Sequence, residues 1–439
     1  MALGGGTFTA MTKVLPGAYI NFVSAAQAQA DSTRGTVAMP LLLDWGQSAA
    51  VFEVTQDDFL DNDKCKAIFG YANTSDELKN VREMFIKATK AYCYRLNGGG
   101  VAASNAYATA NYAGTRGNDF KIVIAANVDV PTDFDVSFLI DNIVYETQTV
   151  TTAATLVDND FVTYDKTATL AATAGTALTG GTNVTSITGE IFQAFLDEIE
   201  QYNFNILGCP SVDTTIHALF DNYTKRMRDE LGIKFQLVRP KSTTVVDYEG
   251  VIQVQNTVSD AGATGYELVF FTAGDQAACA INSSTLNNIY TGGYTVNTGY
   301  TQTQLENFIK AGIYAYHRNG SDICVLSDIN SLVTFTDVKG KGFSKNQAIR
   351  VIDDIAINVG SKIFNARYLG KVNNDADGRI SLWNDVTKYH QELETMGAIV
   401  DYKTDDTVIA SGGGEKVVMS DVITVNNVMG QLYMTVSVA

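Results

Sequence analysis

Apolar spacing changes several times along this chain, and each change predicts a different kind of element. Ile191, Phe192, Phe195, Leu196 and Ile199 recur at helical spacing and predict a helix over 190–202. A strand is expected at 204–207. Asp213 is placed to cap a second helix bearing Ile216, Leu219, Phe220, Tyr223 and Met227, closed near Gly232. Strands are expected at 233–238, 267–271 and 323–326, with a helix over 303–318. Such alternation over 187–340 argues for a mostly parallel sheet with helices on both faces. Upstream, 34–97 reads as a small α/β unit: a buried strand at 37–43, a helix over 76–91 and a strand at 91–96, stopped by Asn97 and Gly98–Gly100.

Between 98 and 186 the helical period disappears. Runs at 120–124, 135–140 and 143–150 read as strands separated by Asn-, Asp- and Gly-rich turns, the pattern of an inserted β-sandwich-like domain. Its Thr-rich, acidic composition suits an outer, solvent-facing surface. From 341 a long helix is expected, its face made by Ile349, Ile352, Ile355, Ala356, Val359 and Ile363, then a second over 379–396. The chain ends in extended runs at 417–426 and 431–439. Leu432, Met434, Val436 and Val438 alternate there with Tyr433, Thr435 and Ser437, a period of two that needs a sheet to join. Residues 1–33 are irregular. A Pro16-Gly17 turn leads into strand-like residues at 14–22, including Val14, Tyr19, Ile20 and Phe22.

The expected architecture is a multi-domain α/β protein. It has an N-terminal extended arm (1–33), a small α/β domain (34–97), an inserted β-sandwich domain (98–186), an α/β core (187–340) and a C-terminal α+β domain ending in a strand arm (341–439).

Composition narrows the function classes. Forty-eight acidic residues against 31 Lys and Arg give a net charge of -17 over 439 residues. Such a surface does not neutralise nucleic-acid phosphates or adhere to anionic membranes. No apolar run approaches the roughly 18 residues of a membrane-spanning helix, and residues 1–10 lack the basic and apolar regions of a signal peptide. Cys65, Cys93, Cys209, Cys279 and Cys324 form no CxxC pair and read as free thiols of a reducing cytoplasm.

Candidate chemistry is sparse. His217, His317 and His390 fall in three separate predicted helices without HExxH or HxH spacing. Gly98 to Ala103 matches G-x-G-x-x-A loosely, but the residues after it are β-rich, whereas phosphate binding needs a helix N-terminus there. That glycine run reads as a domain-boundary hinge. Residues 373–384 resemble a calcium loop, yet position 12 is Asn384 and position 1 is Asn373, so a polar turn capping the next helix is the better reading. No catalytic residue, cofactor or metal is assigned. Lys339, Lys341, Lys345 and Arg350 stand out as four cations without a carboxylate between them. Cations at a helix start oppose the helix dipole, which points to an anionic partner surface.

Several motifs, in order along nearly the whole chain, resemble a known family. Pro16-Gly17-Ala18-Tyr19 is similar to the Pro-Gly-Val-Tyr signature of contractile tail sheath proteins. Ala113-Gly114-Thr115-Arg116-Gly117-Asn118-Asp119 resembles the Pro-Gly-x-x-Gly-Asn-Asp motif opening that family's β insert, with Ala113 in place of proline. Leu178-Thr179-Gly180-Gly181-Thr182-Asn183 resembles the motif that closes it, and Arg350, Asp353 and Ile355 match an Arg-x-x-Asp-x-Ile helix. The likeness is to sheaths of myophages, defective prophages and R-type bacteriocins of the diffocin kind.

This resemblance implies a non-enzymatic subunit that stacks as hexameric rings around an inner tail tube protein, with baseplate and terminator or collar proteins at the ends. Arms exchanged between neighbours would add strands to each other's sheets. The array would contract from a metastable extended state and drive the tube through a target envelope. Assembly would occur in the bacterial cytoplasm, with release by lysis. On that reading Val14, Tyr19, Ile20, Phe22, Leu432, Met434, Val436 and Val438 are arm residues, and Lys339, Lys341, Lys345 and Arg350 face the tube. The alternatives are an S-layer-type surface lattice protein, which suits the acidic, Thr-rich composition, and an α/β enzyme, for which no site is found.

Overall fold

A computed structural model of the chain describes residues 34–244 and 246–437. They form two compact units, 34–357 together with 425–437, and 358–424.

In the first unit the order is β1 (Thr36–Leu41), β2 (Val51–Thr55), α1 (Gln56–Leu60), α2 (Asn62–Phe69), α3 (Lys79–Phe85) and β3 (Lys90–Arg95). The insert adds β4 (Ala108–Ala110), β5 (Phe120–Ala126), β6 (Phe134–Ile140), β7 (Ile143–Val150), β8 (Val162–Tyr164) and β9 (Thr173–Ala177). Then come α4 (Gly189–Ile199), β10 (Ile206–Gly208), α5 (Thr214–Lys225), β11 (Gln236–Pro240) and β12 (Val251–Val254). The chain continues through α6 (Glu267–Ala278), α7 (Gln302–Lys310), β13 (Tyr316–Asn319), β14 (Asp322–Val325) and α8 (Asn346–Ile357).

Six strands make the central sheet, in the order β12-β11-β10-β1-β3-β2. Every neighbouring pair is parallel except β2 with β3. A strand covered on both faces needs apolar residues at odd and even positions alike, and β1 supplies them. Val37, Met39 and Leu41 meet Cys93, Ile206 and Val238 under α3 and α6, while Ala38 meets Tyr92, Leu207 and Leu237 under α4 and α5.

Several expectations from the sequence are corrected by the structure. Residues 267–271 are not a strand but the start of α6, whose residues from Glu267 to Ala277 are all buried. A helix buried all round has no solvent-facing polar side to set the 3.6-residue signature, and its short apolar run then reads as a strand. Gly274 lets α6 approach α3, since a Cβ there would lie 2.4 Å from the Met84 carbonyl oxygen. The helix expected over 303–318 stops at Lys310, because Gly312 turns left-handed at φ +65°. Beyond it, β13 and β14 form an antiparallel hairpin, so His317 sits on a strand and the expected strand at 323–326 pairs outside the central sheet. The helix expected over 76–91 is also shorter: a 3-10 turn at Asp76–Leu78 and then α3, which ends at Phe85.

The insert packs a four-stranded antiparallel sheet, β7-β6-β5-β9, with the small β4–β8 pair. Phe120, Phe138 and Phe161 fill its core together with Trp45, contributed by the loop between β1 and β2. The Trp45 ring lies 5.1 Å from that of Phe120, edge to face.

The second unit runs from a π-helix at Asn358–Tyr368 to α9 (Ala376–Thr395), β15 (Thr407–Gly413) and β16 (Lys416–Asp421). The helix expected through 363 is therefore α-helical only to Ile357. Asp375 caps α9 by accepting a hydrogen bond from the Gly378 amide at 2.8 Å, so the calcium-loop-like stretch serves as a helix start. Leu382, Val386, Tyr389 and Leu393 form the buried face of α9. Among the described residues no helix is long and apolar enough to cross a membrane.

Candidate assembly elements

The C-terminal alternation is visible as an unpaired segment. Gln431 to Ser437 carry no strand pairing among the described residues. Leu432, Met434 and Val436 are 84%, 74% and 71% exposed. Val438 and the N-terminal set Val14, Tyr19, Ile20 and Phe22 lie outside the described residues. In the second unit, β15 and β16 form a sheet of two strands among the described residues, in register from Thr407 opposite Asp421 to Ser411 opposite Val417, with an irregularity before Gly413 meets Lys416. Two strands alone are marginal in water. This hairpin is anchored at its base. The Trp383 indole N–H donates to the Thr407 carbonyl at 2.7 Å, and the Thr407 hydroxyl donates to Asp421 at 2.8 Å. Buried His390 lies 3.1 Å from Asp421, and burial lowers its pKa despite that carboxylate. Farther out the hairpin is exposed, including Val408 and Val418.

The four cations separate on folding. Lys341 is exposed in a short 3-10 turn at Lys341–Ser344. Lys339 donates to Glu249 at 2.6 Å and covers the Tyr248 ring. Lys345 is half-buried, and burial lowers its pKa. Arg350 is a correction to the surface assignment: its side chain is 1% exposed, with the guanidinium spent inside the protein. It donates to Asp328 at 2.7 Å, to Gln276 at 2.7 Å and to the Ser283 carbonyl at 2.9 Å. Burial opposes ionisation of Asp328. Arg350 and hydrogen bonds from Gln276 and Asn346 outweigh it, holding the carboxyl far below the usual range. One turn on, Asp353 forms a two-pronged pair with Arg228 at 2.7 and 2.8 Å. Asn346, Ile349, Arg350 and Asp353 share one buried face of α8. The Arg-x-x-Asp pattern therefore locks this helix onto the α/β core.

The two insert motifs also meet. The Asn118 amide donates to the Gly181 carbonyl and accepts from the Gly181 amide, both at 2.9 Å. Asn183 accepts from Arg95 at 3.0 Å, and Arg95 also donates to the carbonyls of Leu43, Gly46 and Ala113. Arg116, stacked 4.2 Å from the Tyr71 ring, grips Asp141 with both nitrogens at 2.7 Å. The strands leaving and re-entering the core touch at Val101 and Thr182, where a Cβ on Gly100 would lie 1.8 Å from the Thr182 carbonyl oxygen. Gly98–Gly100 thus opens a paired linker instead of a helix.

Chemistry converges nowhere among the described residues. His217 rests against the Ser211 carbonyl at 2.6 Å, His317 faces the Cys324 carbonyl at 3.3 Å, and His390 lies in the other unit. All five cysteines are free, and no cluster suited to a metal ion occurs among the described residues.

Family models match in sequence: the tail sheath protein Gp18 domain III N-terminal region over 34–96, the phage tail sheath protein beta-sandwich domain over 98–183, the central domain over 185–331 and the C-terminal domain over 338–439. The phage-like element PBSX protein XkdK of Bacillus subtilis (strain 168) is 30% identical over 444 residues, covering 93% of this chain and 94% of that one. The sheath tail protein of Desulfitobacterium hafniense superimposes with a TM-score of 0.81 at 32% identity, covering 93% of this chain and 100% of that chain. The helical sheath of the anti-feeding prophage in its contracted state shares the fold, with a TM-score of 0.55 at 11% identity, covering 97% and 99%. This chain belongs to the phage tail sheath family. It is a structural component of a phage-type tail and not an enzyme, which displaces both the surface-lattice and the enzyme alternatives.

Sequence reasoning missed Gln347, Asn346 and the inward turn of Arg350. For Asn346 and Arg350 the available signal was their i, i+4 spacing with Ile349 at i+3, which places polar residues on the apolar stripe of α8.

Proposed function

We propose that this subunit polymerises as stacked hexameric rings around an inner tail tube and contracts from a metastable extended lattice to drive the tube through a cell envelope. The observation that carries this reading is the exposed, alternating segment 431–437, beside a hairpin that has two strands among the described residues. A neighbour's segment would extend the β15–β16 sheet, with the N-terminal residues Val14, Tyr19, Ile20 and Phe22 acting as a second arm. Strand addition of this kind provides main-chain hydrogen bonds and pockets for alternate side chains. Five such bonds at roughly 1 kcal/mol each hold one arm by about 5 kcal/mol before apolar burial. Contacts that do not close on themselves generate helical arrays. The arms keep subunits joined while their rigid bodies turn.

Lys341, supported by Lys339 and Lys345, would face the tube through screened contacts of about 0–1 kcal/mol each, weak enough to break together. The 98–186 insert would form the outer surface. Baseplate and collar proteins would terminate the array, which assembles in the bacterial cytoplasm and leaves by lysis. Negative-stain microscopy of the full chain and of variants lacking 1–22 or 431–439 tests the arms. Striated hollow cylinders are expected from the full chain alone, and normal cylinders from either deletion would refute the arm assignment. Charge reversal at the exposed Lys341 should reduce sheath–tube assembly without changing the monomer's melting temperature, and reversal at Lys345 should reduce it as well.

A further inference from the structure

Before the C-terminal segment becomes unpaired, one buried side chain grips its backbone twice. Gln347, on the first turn of α8, is 3% exposed. Its amide nitrogen donates to the Asn426 carbonyl at 2.9 Å, and its amide oxygen accepts from the Val428 N–H at 3.3 Å. A carboxamide offers one donor and one acceptor side by side, as a peptide group does. Gln347 therefore imitates one residue of a neighbouring strand, gripping the tail's backbone and not its side chains. The grip is independent of the tail's sequence and fixes its path.

The mount is stiff. Next to Gln347, Asn346 donates to Asp328 at 2.9 Å and accepts from Gln236 at 3.1 Å, and Arg350 is bound to Asp328 one turn on. Two residues past the grip, a Cβ on Gly430 would lie 3.6 Å from Leu286 Cδ2, so the chain still runs against the core there. On the other side of the grip, the Thr424 carbonyl accepts from the Val400 amide at 2.9 Å within the second unit. From Gln431 onward the side chains are exposed.

We infer that Gln347 is a positioning residue for assembly, setting the point and direction from which the C-terminal strand leaves the subunit. This rests on the arm reading above. Eleven residues of this sequence, 429–439, follow the grip and span about 36–40 Å when fully extended. Without the grip, the next fixed point is the β-bridge at Val425, and up to three more residues would join the tether. A longer coil lowers the effective concentration of the strand at its acceptor about 1.4-fold by length alone, and loss of direction lowers it further.

Two variants remove the grip from opposite sides. Gln347→Met keeps the shape of the side chain without its amide. Val428→Pro, at a partly exposed position, removes the N–H and leaves α8 untouched. Hydrogen exchange is measured on the monomer and the critical concentration for sheath formation by sedimentation, beside the chain lacking 431–439. Both variants should exchange amides at 426–430 at least tenfold faster, melt within about 2 °C of the parent and need at least threefold more protein to polymerise. If the deletion still polymerises normally, the arm reading itself fails. If the deletion abolishes polymerisation while both variants polymerise at the parent's concentration, the arm stands and the role of Gln347 is overturned. A variant that melts much lower is set aside and the other decides. Lower melting in both would make these contacts structural and overturn the proposal.

Discussion

Replacing Arg350 by methionine separates the buried ion pair from any surface role. The substitution keeps most of the apolar stem but removes the cation that bonds Asp328, and it strips hydrogen bonds from Gln276 and the Ser283 carbonyl. Breaking one side of a buried pair costs about 3–5 kcal/mol, because the remaining carboxylate is left uncompensated. That is a large share of the roughly 5–15 kcal/mol that holds a domain together. At about 2–4 °C per kcal/mol for a unit of this size, the melting temperature should fall by about 10 °C. The pH dependence carries a sign of its own. In the parent the Asp328 carboxyl is depressed, so its contribution is complete above the unfolded value near 4 and is lost as pH falls towards the much lower folded value. In Arg350→Met, burial without the cation raises the carboxyl, so the deficit should be largest at pH 7 and shrink towards pH 5. The double variant Arg350→Met with Asp328→Asn should regain at least half of the loss. Thermal and urea unfolding of the monomer at pH 7 and pH 5 measure all three. A shift under 2 °C, or a deficit that grows in acid, would sink the reasoning.

The core holds another carboxyl with the opposite sign. Burial raises Asp275 to about 6, with Asn288 opposing weakly. The folded chain therefore keeps a proton that the unfolded chain releases near pH 4, and stability falls as pH rises from about 4 to 6. Asp275→Asn should remove that slope and stabilise the chain at pH 7 by about 2–3 kcal/mol, read as a higher urea midpoint at pH 7 than at pH 4.5 relative to the parent. At the insert junction, Gly114 has φ +145° and a Cβ there would lie 2.0 Å from the Asp44 carbonyl oxygen. Gly114→Ala should cost about 1–3 kcal/mol of backbone strain and displacement, loosen the paired linkers and speed proteolysis near 98–103. Unchanged cleavage would show that the junction does not depend on that close approach.

How much of this was legible depended on whether an element keeps one face wet. The helices α4 and α5 each expose a polar side, so their apolar stripes stood out, and β7 lies at the expected 143–150. α6 did not stand out, because it is surrounded and has no polar face to set a period. β2, antiparallel at the sheet edge, is short and carries Glu53 at its centre, so nothing marked it as a strand. Arg350 was misread for a related reason. Its neighbours in sequence are lysines that reach solvent, whereas its partner Asp328 lies 22 residues away and is found only by folding. The exposed alternation at Leu432, Met434 and Val436 was legible because it is incomplete: it follows the strand pattern with no sheet joined among the described residues. Gln347 was invisible, since one glutamine in a helix carries no period.

These differences point to a division of labour within the subunit. Arg350 with Asp328, Arg228 with Asp353 and Arg239 with Asp221 are buried guanidinium–carboxylate pairs. Apolar side chains of equal volume could match them in stability, but a misplaced buried ion is costly, so such pairs penalise alternative dockings of the helices they join. At the insert, Arg95 and Arg116 play the same part by spending their donors on backbone carbonyls and Asp141. Stiffness is thus concentrated inside the body, while on the proposed function the means of joining other bodies would be left to backbone edges and the alternating segment 431–437. Hydrogen bonds along an edge tolerate rotation of the domains behind them provided the tether is slack. On the proposed function, a lattice that changes pitch would need both properties at once, and the grip of Gln347 would lie where one passes into the other.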